Sequence, residues 1–136
     1  MTLYLDTSSM VKLFVQEDGT AEVRRLVDAA DVVATSIVAY AEMRATLARL
    51  RRERRLTPAA YLLLKRQFEA DWPAFLCIDV TDPIARAAGR LAERHGLRGF
   101  DSIHLASFAH ILERASDDVH FSCFDDRLNR AAKSLH

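Results

Sequence analysis

The chain has 136 residues, of which 50% are hydrophobic and 28% are charged. This length predicts one domain over residues 1–136 with a core of its own, and the equal numbers of basic and acidic residues, 19 each, give no whole-chain argument for a nucleic-acid partner. We find no apolar stretch of membrane-spanning length and no signal-peptide order of charges, so we expect a cytoplasmic protein without membrane contact.

Short apolar runs alternate with amphipathic segments along the chain, which predicts alternating strands and helices. Strands are predicted at residues 2–5, 31–35, 76–80 and 119–124. Helices are predicted at residues 8–15, 20–30, 37–55, 58–74, 83–95, 100–114 and 126–135. Strands that read as continuous apolar runs are typical of a parallel sheet covered by helices on both faces, so the order predicts an α/β fold.

Side chains suited to cap helices stand at most of the predicted helix starts. The hydroxyl candidates for the N-cap are Ser8 or Ser9, Thr20, Ser36, Thr57 and Thr81. Gly96 is expected to close the helix that begins near Pro83.

Four acidic residues lie where a predicted strand or helix meets one edge of the sheet. Asp6 follows the first strand, and Glu42 lies in the helix after the second strand. Asp101 begins a helix, and Asp125 follows the last strand. Carboxylates gathered at the carboxyl edge of a parallel sheet are costly unless a positive group meets them, and hard divalent cations prefer oxygen ligands. The pattern therefore predicts a metal-dependent enzyme that acts on phosphates.

Each acid taken alone also has an ordinary structural interpretation. Asp6 and Asp101 stand where a helix cap is needed, and Glu42 could be an exposed helix residue paired with an arginine. Asp125 and Asp126 are adjacent, so at most one of them is expected to point into a shared site.

The segments that carry these acids resemble the four motifs of PIN-domain toxins of the VapC type. They are LDTSSMVKLF at 5–14, YAE at 40–42, GFDSIHLA at 99–106 and FSCFDDRL at 121–128. Cys123 departs from the threonine or serine common at its position, which puts a hydroxyl contact there in doubt. The resemblance covers essentially the full chain, with the motifs in order.

This resemblance implies a three-layer α/β/α PIN-like domain with a central parallel sheet of four or five short strands. It implies a magnesium-dependent endoribonuclease, with Mn²⁺ as a possible substitute, whose acidic site is Asp6, Glu42, Asp101 and Asp125, with Ser8 as an accessory polar contact. It further implies an RNA substrate, a VapB-like antitoxin partner, and a homodimer or a toxin–antitoxin hetero-oligomer. Segments 23–27 and 61–68 could offer the partner groove or be ordinary core stripes.

Basic and histidine side chains near the motifs have open roles. The run Arg49, Arg51, Arg52, Arg54 and Arg55 is either a phosphate-tracking rim or a solvated helix end. Lys12 and Arg98 are competing phosphate contacts. We expect His104, on the helix face of Asp101, to be packed or to support the site rather than to bind metal.

The two cysteines, Cys77 and Cys123, fall in predicted strands without metal-type spacing and are expected in the core. A haloacid-dehalogenase-type phosphatase would need an aspartate where Ser8 stands, and there is no glycine-rich phosphate loop. Two alternatives remain: a PIN nuclease of RNA processing outside a toxin–antitoxin pair, and a non-catalytic binding scaffold whose acids only cap helices.

Overall fold

The structure, a computed structural model, describes residues 1–115 and 118–135. Its strands are β1 Thr2–Leu5, β2 Val32–Ser36, β3 Leu76–Ile78 and β4 Val119–Ser122. Its α-helices are α1 Thr7–Phe14, α2 Thr20–Ala29, α3 Val38–Arg52, α4 Pro58–Asp71, α5 Asp82–His95, α6 Gly99–Arg114 and α7 Asp126–Lys133. A short 3₁₀ turn, Trp72–Ala74, follows α4.

The four strands form one parallel sheet in the order β3-β2-β1-β4, which confirms the predicted sheet type. β1 lies in the interior, where Leu3 pairs with Val33 on one side and His120 on the other. Because all strands run in the same direction, their carboxyl ends meet at one edge. The chain leaves β1 at that edge with Asp6, whose N–H donates to the carbonyl of Ser122 in β4.

Side chains of β1 alternate between the two faces of the sheet and so define three layers. Leu3 and Leu5 pack with Val23 of α2 on one face. Tyr4 points to the other face and packs with a cluster drawn largely from α5, α6 and α7. A further cluster joins α1, α3 and α4; its fully enclosed members are Met10, Ala39, Met43 and Phe68. The helices therefore cover both faces, as predicted.

Three predicted caps are wrong. Ile37 rather than Ser36 is the N-cap of α3, and it makes no side-chain capping bond. α1 is capped by Asp6, whose carboxylate accepts from the Ser9 N–H, while the Ser8 hydroxyl donates to Asp6 instead of capping. Thr20 is the first residue of α2, and the cap is Gly19 at φ +95°. A Cβ at Gly19 would lie 2.8 Å from the ring of Phe124, so both backbone and packing require glycine there.

Other helix ends follow the sequence prediction more closely. Thr57 and Thr81 cap α4 and α5, and Gly96 ends α5 in the left-handed region at φ +63°. α3 ends at Arg52 rather than residue 55, because Arg54 adopts φ 60° and turns the chain out of the helix. The arginine run is therefore split between the end of a helix and a turn.

The two cysteines differ in their placement relative to the strands. Cys77 lies in β3, but Cys123 lies just beyond β4 rather than in the strand, and both are free thiols. None of the helices over 1–115 and 118–135 combines the length and apolarity that crossing a bilayer requires.

Candidate active site

All four predicted acids line one cavity of about 500 Å³ at the carboxyl edge of the sheet. Asp6 follows β1 directly, and Asp125 is the N-cap of α7 after β4. Glu42 projects from the second turn of α3, and Asp101 lies in the first turn of α6. Residues that are far apart in sequence are thus brought together by the parallel order of the strands.

Asp6 is the most enclosed of these carboxylates, with 4% of its surface exposed. Its Oδ1 accepts hydrogen bonds from the Ser9 N–H at 3.0 Å and the Ser8 hydroxyl at 2.7 Å. Burial raises the pKa of Asp6, hydrogen bonds from Ser9 and Ser8 oppose this rise, and the charge of Asp101 adds a small further rise. A cation in the cavity would relieve this cost.

Ser8 links two walls of the cavity. While its hydroxyl donates to Asp6, its Oγ accepts the backbone N–H of Phe124 at 3.1 Å. The bond fixes the segment after β4, which carries Asp125, against the start of α1. The accessory role expected for Ser8 is therefore one of orienting Asp6.

Glu42 belongs to a hydrogen-bonded chain that reaches into the core. Its Oε1 accepts from the Thr7 hydroxyl at 2.7 Å and lies 2.9 Å from His104 Nε2. On the other side of the imidazole, Nδ1 lies 2.9 Å from the hydroxyl of Tyr4, which is fully buried. A carboxylate only accepts, so Nε2 carries a proton, and in the neutral imidazole Nδ1 accepts from Tyr4.

This network of hydrogen bonds keeps the Glu42 carboxylate ionised. Burial alone would raise the pKa of Glu42, but hydrogen bonds from His104 and Thr7 outweigh it, and the pKa is lowered. His104 itself is 1% exposed, which agrees with the packed, supporting role expected for it.

Asp101 and Asp125 are held more simply. Asp101 Oδ2 lies 3.3 Å from Nε of Arg98, whose side chain is 87% exposed. Asp125 Oδ1 accepts from the Leu128 N–H at 2.8 Å, so this acid caps α7 and lines the cavity at once. Asp126 lines a different cavity, on the side of Leu3 and Glu22. The geometry thus favours Asp125 over its neighbour.

Cys123 lies close enough to the acids to sense their charge. Burial raises the pKa of its thiol to about 12, with the charges of Asp6, Asp125 and Asp101 adding to the rise. The thiol stays protonated at neutral pH and is not a nucleophile.

The donor set suits a hydrated hard cation better than a fully chelated one. Over the described residues, no three His, Cys, Asp or Glu side chains are grouped closely enough to enclose a metal directly. Mg²⁺ is typically held by one or two carboxylates and keeps several waters. Four carboxylates around a solvent-open cavity of about 500 Å³ fit that mode of binding.

Basic side chains of the cavity only partly follow the predicted roles. Arg49 and Arg55 line the cavity, whereas the Arg51 guanidinium lies over the ring of Tyr61 at 5.2 Å. Lys12 also lines it, but Nζ bonds Glu17 Oε1 and the Asp18 carbonyl. Arg49 and Arg55 are therefore the better placed of the run to meet a phosphate.

The sequence alone did not identify Thr7 as a site residue, and it did not identify Glu42 as the partner of His104. Thr7 is adjacent to Asp6 and resembles a spare helix cap, yet its hydroxyl reaches Glu42, 35 residues away. The only local sign was that His104 shares a helix face with Asp101, and it did not reveal Glu42 as the partner. That contact depends on how α3 and α6 sit across the sheet edge.

Comparison with known proteins places this geometry in context. Residues 3–134 match the PIN domain family. The chain is 38% identical over 105 residues to ribonuclease VapC45 of Mycobacterium tuberculosis strain CDC 1551 / Oshkosh and to ribonuclease VapC49 of strain H37Rv. Each alignment covers 77% of this chain and 73% of the relative.

Solved structures share the fold at lower sequence identity. FitAcB from Neisseria gonorrhoeae superposes with a TM-score of 0.73 at 19% identity, covering 96% of this chain and 93% of that one. M. tuberculosis VapC20, described as a sarcin-ricin loop cleaving toxin, gives 0.65 at 20% identity, covering 95% and 94%. VapBC2 from Rickettsia felis, bound to a promoter DNA fragment, gives 0.60 at 13% identity, covering 92% and 100%.

Proposed function

This chain belongs to the PIN-domain family and, within it, to the VapC ribonucleases, and from that premise we propose that it is a magnesium-dependent endoribonuclease acting as the toxin of a toxin–antitoxin pair. Mn²⁺ is the expected substitute metal, and the cytoplasm is the expected site of action. The observation that carries the proposal is the convergence of Asp6, Glu42, Asp101 and Asp125 on one solvent-open cavity.

The four carboxylates are proposed to have different roles in holding the metal. Asp6 and Asp101 are proposed as the direct ligands, with Glu42 and Asp125 acting directly or through water. When bound, Mg²⁺ supplies Lewis acidity, which polarises a phosphate oxygen and makes bound water a better nucleophile.

The protein's own groups prepare this site before any substrate arrives. Glu42 is kept ionised and fixed by Thr7 and His104, so it can orient a water and accept its proton. Both of these bonds fall on Oε1, which leaves Oε2 as the oxygen for that task. Arg49 and Arg55 place positive charge on the cavity wall, where a polyanionic strand must be held against nearby carboxylates.

Replacing the two proposed direct ligands tests the enzyme. Asp6→Asn and Asp101→Asn remove charge with little change of shape, and both should abolish Mg²⁺-dependent RNA cleavage by the purified protein. Asp28→Asn, an exposed position on α2, is the matched control and should cleave normally. Circular dichroism checks folding. Cleavage by both folded variants at the wild-type rate would defeat the proposal.

A metal titration separates the enzyme from a scaffold whose acids only cap helices. A ligand that binds only the native state raises Tm by mass action. The wild type should melt at higher temperature as Mg²⁺ or Mn²⁺ is added, and Asp6→Asn should respond less. A wild-type Tm that is flat against both metals would favour the scaffold.

A VapB-like antitoxin is the proposed protein partner. Of the two segments considered for a groove, Val23 and Phe68 are fully buried and belong to the core. Within residues 61–68, the exposed large apolar side chains are Leu62 and Leu63 of α4, at 49% and 56% exposure. Expression with the neighbouring genes should co-purify a small partner, and glutamate at both leucines tests whether α4 contributes. Absence of any co-purifying protein from the native operon would count against the pairing.

A further inference from the structure

One aromatic ring beside the acidic cavity has no role that the fold explains. Phe100 is the second residue of α6 and is 58% exposed. Among the residues that the structure describes, it belongs to none of the hydrophobic clusters and to none of the ring contacts. A single exposed apolar side chain is ordinary, so its position must carry the argument.

Phe100 lines a second cavity, of about 540 Å³, that adjoins the acidic one. Glu42, Arg98 and Asp101 line both cavities. More than half of the Phe100 surface is open to solvent. A flat apolar face therefore adjoins the carboxylates without being filled by the chain itself.

Charge at the junction favours a nucleotide over a purely apolar ligand. The Arg98 guanidinium is anchored through Nε to Asp101, and its exposed remainder offers further N–H donors. An aromatic face next to an arginine matches the two parts of a nucleotide, a base that stacks and a phosphate that accepts.

We propose that Phe100 and Arg98 form a subsite that stacks one unpaired nucleobase of the RNA strand, next to the scissile phosphate in the acidic cavity. The inference rests on the proposed nuclease function and extends it to the substrate. A base can reach an aromatic side chain only when it is outside a duplex, so the subsite selects single-stranded or looped RNA at the cleavage point.

Binding measured without metal tests the subsite independently of cleavage. Fluorescently labelled oligo(A) and oligo(U) are titrated in EDTA with wild type, Phe100→Leu, Phe100→Trp and Leu76→Ala. Phe100→Leu keeps an apolar side chain but loses the π face, so it should weaken oligo(A) binding about 5- to 150-fold and oligo(U) binding less. Phe100→Trp should bind at least as well as wild type. Leu76→Ala, at a similarly exposed position on β3 away from both cavities, should have no effect.

The outcomes separate this proposal from the one on which it rests. If wild type cleaves RNA with Mg²⁺ and Phe100→Leu binds and cleaves equally well, the subsite is wrong and the nuclease stands. If Phe100→Leu leaves RNA binding unchanged but releases a co-purified partner, the ring belongs to a protein interface and the subsite is again wrong. If wild type neither binds nor cleaves RNA, both proposals fail.

Discussion

Replacing Asp6 with asparagine should separate the destabilisation caused by its buried charge from its proposed role as a metal ligand. The carboxylate of Asp6 caps α1 through the Ser9 N–H and is almost fully buried at the cavity wall. Asparagine is an equally good N-cap, so the helix keeps its terminal hydrogen bond. The buried negative charge disappears, and with it a proposed metal ligand.

The pH dependence of this cost has a definite sign. Burial raises the pKa of Asp6 in the folded protein above the unfolded value of about 3.9. Between the unfolded and the folded pKa, the native state binds more protons than the unfolded state. The free energy of unfolding therefore falls as pH rises through that window. At pH values above the folded pKa, the full penalty is present. Asp6→Asn in EDTA should therefore be at least as stable as wild type, and its advantage should shrink as pH falls towards 4.

The expected magnitudes can be checked by thermal unfolding. Loss of an N-cap costs about 1 kcal/mol, and for a chain of this length that corresponds to a Tm change of about 4 °C. Asp6→Ala, which lacks the cap, should melt about 4 °C below Asp6→Asn. Mg²⁺ at about 100 times its Kd should stabilise wild type by about 2.7 kcal/mol and the asparagine variant by less.

Scanning calorimetry of the three proteins, with and without Mg²⁺, gives all of these differences, and RNA cleavage is assayed in parallel. The reasoning requires Asp6→Asn to be inactive while it is as stable as wild type in EDTA. An asparagine variant that melts several degrees below wild type in EDTA at neutral pH would refute it, because the buried charge would then be an asset to the fold.

Three further predictions concern groups around the acids. His104→Gln, which keeps an N–H donor for Glu42, should retain more kcat and Mg²⁺ affinity than His104→Leu; equal losses in both would reduce the imidazole to a packing role. The lowered pKa of Glu42 adds stability above the unfolded pKa of about 4.3, and this stability is lost as pH falls through the folded pKa. The Tm difference between wild type and Glu42→Gln should therefore shrink in acid. Parallel curves of Tm against pH for the two proteins would contradict this. Arg49→Gln and Arg55→Gln should each reduce the slope of log K against log salt for single-stranded RNA by about 0.7. Arg51→Gln should leave the slope unchanged, because the Arg51 guanidinium lies over a tyrosine ring. The same slope in all three variants would show that the cavity arginines do not bind RNA.

The fold could be predicted from sequence because its signals are local. Strand β1 was placed to the residue, and Thr57, Thr81 and Gly96 marked helix ends through capping chemistry that acts within a few positions. The errors lie where a distant contact decides. Gly19 displaces Thr20 as a cap because the Phe124 ring, from the other end of the chain, packs against it.

The grouping of the four acids at one cavity could be predicted from the sequence, but the hydrogen bonds that hold them could not. Parallel strands bring the residues that follow them to one edge, so position alone was enough to group the four acids. Which donors hold each acid depends on side-chain directions that sequence spacing does not give. The bond from His104 to Glu42 spans 62 positions and joins two helices with no shared motif.

At Asp6 and Asp125, helix capping and the proposed role in the site are compatible rather than competing explanations. Asp6 and Asp125 cap α1 and α7, and Asp101 lies in the first turn of α6, so each carboxylate faces the positive end of a helix. Those helix ends hold negative charge in place before any metal arrives. Glu42 lies further along its helix and lacks this support, which accounts for the donors that only this acid receives from Thr7 and His104. Ser8 and Arg98, which support Asp6 and Asp101, are near neighbours in sequence, whereas the donors to Glu42 come from the separate helices α1 and α6.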